Sequence, residues 1–398
     1  MNILVINCGS SSLKFSVIDT LTGADLARGL FDKLGSDSPK YKMESDKLAE
    51  AVKGDLPAKA SHKEALNTLA EFVASEDVNV SIDAVGHRVV HGGEAFTSAC
   101  VMDEAAIKAV EACNSLAPLH NPANLLGIES SKQNFPDLPQ VGVFDTAFHQ
   151  TLQPEAYLYP LPIELYKKHG IRRYGFHGSS HKYVAGEAAR ILGKPLSETS
   201  VITAHLGNGC SAAAIENGVC VDTTMGLTPL EGMVMGTRCG DIDPGIIFHL
   251  KRALGMTADD IDVMLNKKSG LLGLSDISND MRTLREASTE GNEAAKLAVG
   301  IFTRRLAKSI ASLRATIEDC DALIFTGGIG ENDALTRAET MQRLAHLGIE
   351  IDPEANKNRG KGNDGIISTK NSSVKAIVIQ TNEELMIARE TEQIVGSK

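Results

Sequence analysis

Two stretches of this chain share one pattern. Residues 3–18 read ILVINCGSSSLKFSVI, and residues 201–223 read VITAHLGNGCSAAAIENGVCVDT. Each is an apolar run of strand character, a small glycine turn and a second apolar run. In the later copy a third strand follows Asn217-Gly218. Laid together, Asn7-Cys8-Gly9 falls on His205-Leu206-Gly207. A recurrence of this kind predicts two related halves, each presenting a glycine turn to a shared cleft. The plainer reading, that one strand–turn–strand resembles another, stays open at this level. Turns so small can aim backbone N–H groups at a negatively charged ligand.

Between and beyond these hairpins, strands and helices alternate. VGVF (141–144), VITA (201–204), ALIFTG (322–327) and AIVIQ (376–380) read as buried strands, and FTRRLAKSIASLRATIE (302–318) as an amphipathic helix. The pattern is α/β. A length of 398 residues predicts two domains. Residues 36–60 are polar and charged and read as a surface excursion. The net charge of −11, only 4% aromatics and no Trp argue against nucleic-acid and membrane-surface partners. The seven cysteines include no CxxC pair, as expected of free thiols in a reducing compartment. The opening MNILVINCGSSS turns polar after six residues and reads as a strand, and no apolar run approaches the ~18 residues of a membrane helix. A cytoplasmic location is the expectation.

Familiar nucleotide and metal motifs are missing. GxxxxGK[ST] and HExxH do not occur, and the pairs His87/His91 and His177/His181 have no third ligand nearby in sequence. What remains are three glycine turns after strands: NCGSSS (7–12), HLGNGCS (205–211) and TGGIGEN (326–332). Two suit phosphates, and the third suits a nucleoside. Arg88 in VGHRVVHGGE and Arg238 in MGTRCGDIDPG are cations set among glycines, where anion contact competes with a surface role. His120 lies between prolines in LAPLHNPAN, and His177 precedes a glycine in YGFHGSSH. Asp145 follows the strand VGVF, where open α/β sheets place ligands. Glu383 has two readings, a site residue or a first-turn acid beside a Thr381/Glu384 capping box.

Taken together, NCGSSSLKFSV, GHRVVHGG, PLHNP, VFDTAFH, YGFHGSSH, HLGNGCS, GTRCGDIDPG, FTGGIGEN and TNEELMIA closely resemble the acetate kinase family. The matches run in order from residue 2 to about 390, and only the 36–60 excursion and Cys210 look individual. The resemblance implies duplicated actin-like ATPase (ribonuclease H-like) α/β domains flanking a nucleotide cleft that closes on its ligands. The implied division is residues 1–149 plus 384–398 as an acetate and phosphate domain, and 150–383 as a nucleotide domain. It implies the reversible reaction ATP + acetate giving ADP + acetyl phosphate, with Mg²⁺ (Mn²⁺ able to substitute), in a homodimer.

By the same resemblance, Arg88 binds the carboxylate, Arg238 and His177 meet the transferring phosphoryl with His120 nearby, and Asp145 is the catalytic aspartate. Asn7 and Glu383 organise the metal. Ser12, Lys14 and the turn His205, Leu206, Gly207, Asn208 and Gly209 contact phosphates. Asp280, Met281, Arg282, Gly328, Ile329, Gly330, Glu331 and Asn332 form the adenosine site. Val90, Leu119, Phe176 and Pro229 line the acyl pocket, where bulky side chains favour a methyl over longer tails by roughly 1–3 kcal/mol per methylene. Acetate is ionised at neutral pH, so no general base is needed and charge neutralisation carries the catalysis. Two rivals remain: a propionate or butyrate kinase of the same family, and an ATP-switched binding protein of the Hsp70 or actin kind.

Overall fold

The structure is a computed structural model that describes residues 1–118 and 120–396. The chain divides into two compact units, Met1–Gln150 with Asn382–Lys398, and Thr151–Thr381. Among the described residues, no helix is long and apolar enough to cross a membrane.

The first unit holds a mixed sheet. Its strands are β1 (Asn2–Cys8), β2 (Leu13–Asp19), β3 (Ala24–Asp32), β4 (Lys40–Ser45), β5 (Val52–Asp55), β6 (Ala84–Val89), β7 (Cys100–Val101) and β8 (Gln140–Phe144). They lie in the order β5-β4-β3-β2-β1-β6-β8-β7. β1 is antiparallel to β2, while β6 and β8 run parallel beyond it. Leu4, Ile6, Phe15 and Phe31 pack with Leu69 and Phe72 of helix His62–Ala74. Further along, Phe96 stacks on Phe144 with ring centroids 4.1 Å apart, over Ile128 of helix Asn121–Asn134. Each such buried side chain contributes roughly 1.5–3 kcal/mol. Helix Glu383–Gly396 packs against β6, β1 and β8 of this unit.

The second unit repeats the plan with β9 (Val201–Leu206), β10 (Cys210–Glu216), β11 (Val219–Thr223), β12 (Ala322–Thr326) and β13 (Lys375–Val378), in the order β11-β10-β9-β12-β13. Again a meander of three antiparallel strands is followed by two parallel ones. β1 and β9 both end on the residue before a glycine, Gly9 and Gly207. The meanders also share a defect: the register slips between Val17 and Ile18 of β2 and between Ala214 and Ile215 of β10, each the fifth and sixth residue of its strand. Two unrelated hairpins have no reason to bulge at one equivalent position. The recurrence seen in the sequence is therefore a duplication.

Three expectations change. The 36–60 segment is not only an excursion, because β4 and β5 extend the first sheet and Tyr41 packs 5.7 Å from Phe31. The amphipathic helix spans Glu293–Arg314, capped by Asn292, so it starts nine residues before the expected 302. The last helix has no Thr381/Glu384 capping box. Asn382 Oδ1 accepts the Leu385 N–H at 2.9 Å, Thr381 pairs with Ser180, and Glu384 pairs with Lys14.

Candidate active site

In the first unit the C-terminal ends of three neighbouring strands carry the candidates. β6 pairs with β1 on one side and β8 on the other, so Asn7, Arg88 and Asp145 emerge at one sheet edge, where open α/β sheets place ligands. Arg88 Nε donates to Asp145 Oδ1 at 3.0 Å, and Nη2 donates to Oδ2 at 2.7 Å. Asp145 is buried and its backbone N–H donates to Val89 O. Burial alone would lower the Arg88 pKa, but the charge of Asp145 and its hydrogen bonds raise it. Two of the guanidinium nitrogens thus hold the fork in place.

Helix Asn121–Asn134 steadies this edge. Asn121 and Asn124, three residues apart and so on one helical face, are both buried. Asn121 Oδ1 accepts the His91 N–H at 3.1 Å and its Nδ2 donates to His91 O at 2.9 Å. Asn124 Oδ1 accepts the Val90 N–H at 3.0 Å and its Nδ2 donates to Cys8 O at 2.8 Å. Sequence reading missed both, although they belong to the same HNPAN stretch as His120. His120 stands at the N-cap position of that helix without a side-chain cap bond. Leu119 lies outside the described residues.

Glu383 opens helix Glu383–Gly396. Burial raises its pKa, Asp145 and Glu384 add to the rise, and Arg88 and Lys14 oppose it. Lys14, opposite Asn7 on β2, is committed to Glu384. Ser12 closes the first glycine turn through its carbonyl, which accepts the Gly9 N–H at 2.8 Å.

In the second unit His177, Arg238 and Gly209 converge. A Cβ placed on Gly209 would lie 3.5 Å from both Arg238 Nη1 and His177 Nε2. His177 has φ 58° and ψ 27°, a left-handed backbone that costs a non-glycine residue on the order of 1 kcal/mol. Its ring stacks on His205 at 4.4 Å. Arg238 Nη1 donates to Pro229 O at 2.8 Å, and no carboxylate among the described residues pairs with it. Burial lowers its pKa, yet a guanidinium keeps its charge, so the site holds an uncompensated cation. Cys210 Sγ donates to Gly207 O at 3.2 Å, its pKa pushed up to about 12 by burial, so the thiol closes the turn and stays unreactive.

The same unit has a cavity of about 650 Å³ lined by Gly207, Asn208, Asp280, Met281, Arg282, Gly328, Ile329 and Asn332. Asn279, Arg285, Glu286, Asp333 and Leu335 complete it and were not foreseen. Asp280 caps helix Met281–Thr289, and its pKa is held down to about 2 by hydrogen bonds to Arg282. Five expected residues of this region do not line the cavity, among them Gly209, which faces Arg238 and His177. Leu206 and Gly330 are interior, His205 bonds Ser180, and Glu331 Oε1 clasps the backbone N–H groups of Gly327 (3.0 Å) and Thr381 (3.2 Å). Buried Arg337 holds the short helix Gly327–Asn332 from its far end, donating to Gly330 O at 2.8 Å and Glu331 O at 3.0 Å. The acyl-pocket residues divide by unit, Val90 in the first and Phe176 and Pro229 in the second.

For a metal, the donors on offer are an amide oxygen and a carboxylate. Among the described residues no group of three or more His, Cys, Asp or Glu could hold an ion. That set fits a hard divalent cation that keeps several waters, and does not fit zinc. Glu383, partly buried and beside the like charges of Asp145 and Glu384, is a carboxylate that such a cation would relieve.

The chain matches the Acetokinase family over residues 2–389. It is 52% identical over 390 residues to an acetate kinase of Shewanella loihica, covering 98% of this chain and 97% of that one. Among solved structures, a propionate kinase from Francisella tularensis has a TM-score of 0.93 at 45% identity, covering 99% of each chain. Porphyromonas gingivalis acetate kinase has a TM-score of 0.91 at 42% identity, again covering 99% of each.

Proposed function

Since this chain belongs to the acetokinase family and is a kinase that transfers phosphate to acetate, we propose direct in-line transfer of the γ-phosphoryl of ATP to a carboxylate oxygen, giving acetyl phosphate and ADP. The family uses ATP as co-substrate and a divalent metal. We assign the metal as Mg²⁺, with Mn²⁺ able to substitute, held by Asn7 and Glu383, where it neutralises phosphate charge.

The first unit is the acetate side. Arg88, clamped by Asp145, offers Nη1 to the carboxylate and sets which oxygen points at phosphorus. Asp145 orients and removes no proton, because acetate arrives ionised. The second unit is the nucleotide side, with the base and ribose in the 650 Å³ cavity and Asn208 and Gly209 on the phosphates. Arg238 and His177 stabilise the charge on the equatorial phosphoryl oxygens, and His120 supports them. The observation that carries this reading is Arg238: a half-buried guanidinium with no carboxylate partner beside a glycine turn is built to receive an anion.

We assign Val90, Leu119, Phe176 and Pro229 to the acyl tail, where they favour a methyl over longer chains. A homodimer in the cytoplasm completes the proposal and rests on family membership. The test offers purified protein MgATP with acetate, propionate or butyrate and traps acyl phosphate with hydroxylamine. Signal strongest with acetate supports the reading. Signal only with the longer acids keeps the mechanism and overturns the pocket.

A further inference from the structure

β9 and β10 are paired so that Thr203 lies opposite Ala213 and His205 opposite Ser211. With two-residue periodicity, all four side chains share one sheet face. The first turn of helix Gly178–Leu192 brings His181 to that face, with His177 just before the helix. Ser211 Oγ lies 2.8 Å from His177 Nδ1 and 2.8 Å from His181 Nε2. His181 Nδ1 lies 2.7 Å from Thr203 Oγ1, which donates to Ala213 O at 3.4 Å. Thr203, His181 and Ser211 are all fully buried.

We propose that Ser211 is a positioning residue: its hydroxyl, bridging two imidazoles, sets the tautomer and the aim of His177. The inference rests on the reading of His177 as a group on the transferring phosphoryl. A hydroxyl has one proton to give. With the Thr203 proton on Ala213 O, His181 Nδ1 is the donor to Thr203. The Nε2 of a neutral His181 then accepts the Ser211 proton, and Ser211 accepts from His177 Nδ1–H. The chain of bonds therefore places the His177 proton on Nδ1 and turns Nε2 toward Gly209 and Arg238. From Nε2 the ring donates to a phosphoryl oxygen only as the imidazolium, so it brings charge along with its hydrogen bond. A hydroxyl at 211 is required for this; a methyl in the same buried place would pack but not orient.

The test uses the full chain. Ser211→Ala is expected to lower kcat about 10–100-fold, the range for removing an orienting partner, with KM for acetate and MgATP changed less than about twofold. Nitrogen spectra of ¹⁵N-histidine protein should show His177 protonated at Nδ1 in the parent and a tautomer mixture in Ser211→Ala. Ser211→Thr keeps the hydroxyl and should restore the parent spectrum, with thermal melting confirming that each variant folds. On a His177→Ala background, Ser211→Ala should cost nothing further in kcat. An unchanged His177 spectrum in Ser211→Ala, or a full additive loss in the double variant, overturns the proposal. Should His177→Ala itself keep more than about a tenth of kcat, the phosphoryl role of His177 fails instead. The spectra still decide the bridge.

Discussion

Arg88 and Asp145 meet through two parallel hydrogen bonds, 3.0 and 2.7 Å long, at the ends of neighbouring parallel strands. Asp145→Ala removes the clamp and leaves Arg88 unpaired. The expected outcome is a rise in acetate KM of at least about tenfold with a fall in kcat, because the fork loses its aim. Stability should drop by about 2 kcal/mol, less than a fully buried pair would lose, since the Arg88 side chain is 22% exposed. Steady-state kinetics and urea melts check both parts; kinetic constants within twofold of the parent would remove Asp145 from the mechanism.

Arg238 predicts a trade. Arg238→Met should cut kcat by roughly 10³–10⁵, as loss of a charge-stabilising arginine does. It should also raise the melting temperature of the unliganded protein, because an uncompensated cation is replaced by an apolar chain of similar length. Retention of more than about a tenth of kcat contradicts the assignment.

The assignment of Glu383 to the metal predicts the same kind of trade. A carboxylate whose pKa is raised on folding contributes stability while protonated and loses it as pH climbs from the unfolded value through the folded one. At neutral pH without metal, Glu383→Gln should therefore melt higher than the parent. The same variant should need far more Mg²⁺ for activity. In the parent, the Mg²⁺ requirement should increase on acidification, as protons compete for the carboxylate, and in the variant it should be flat. Titrations of rate against Mg²⁺ at several pH values decide it; a parallel pH response in both proteins counts against Glu383 as a ligand.

His87 sets an acid limit on stability. It is buried, donates from Nε2 to Gln140 Oε1 at 2.8 Å, and burial lowers its pKa from 6.5 to about 4. Below 6.5 the unfolded chain binds a proton that the folded chain refuses, so stability is full above that pH and falls until about 4. The two-and-a-half-unit gap corresponds to about 3 kcal/mol. Urea midpoints from pH 7 to 4 should fall in the parent, and fall less in His87→Gln, which keeps a donor without the titration.

The strands and the three glycine turns could be read because each depends on local sequence, on runs of β-branched residues and on glycines where the chain turns. Arg88, Asp145, Arg238 and His177 stood out for the same reason, as charged or ionisable groups among glycines. Other residues gave no such signal. Asn121 and Asn124 act only because the helix carries them under the ends of β1 and β6. Ser211 matters through its cross-strand register with His205. Glu331 reads as a loop acid, yet it ties Gly327 to Thr381 across fifty residues of sequence. The early start of helix Glu293–Arg314 escapes notice because its first two turns bury only the small side chains of Ala295, Ala298 and Val299.

Helix Glu383–Gly396 lies against a strand that leaves it no room to be replaced. A Cβ on Gly86 would fall inside contact distance of Thr391 Oγ1 and 3.0 Å from Ile387 Cγ2. The first 150 residues of the chain therefore include every strand of their sheet but not the helix that covers its middle. During synthesis that half waits, with the face of β6 that carries Ala84 and Gly86 uncovered, while more than two hundred further residues are made. The order of translation thus forbids the first unit from finishing first. Its final assembly is a late event that depends on a helix made only after the whole second unit.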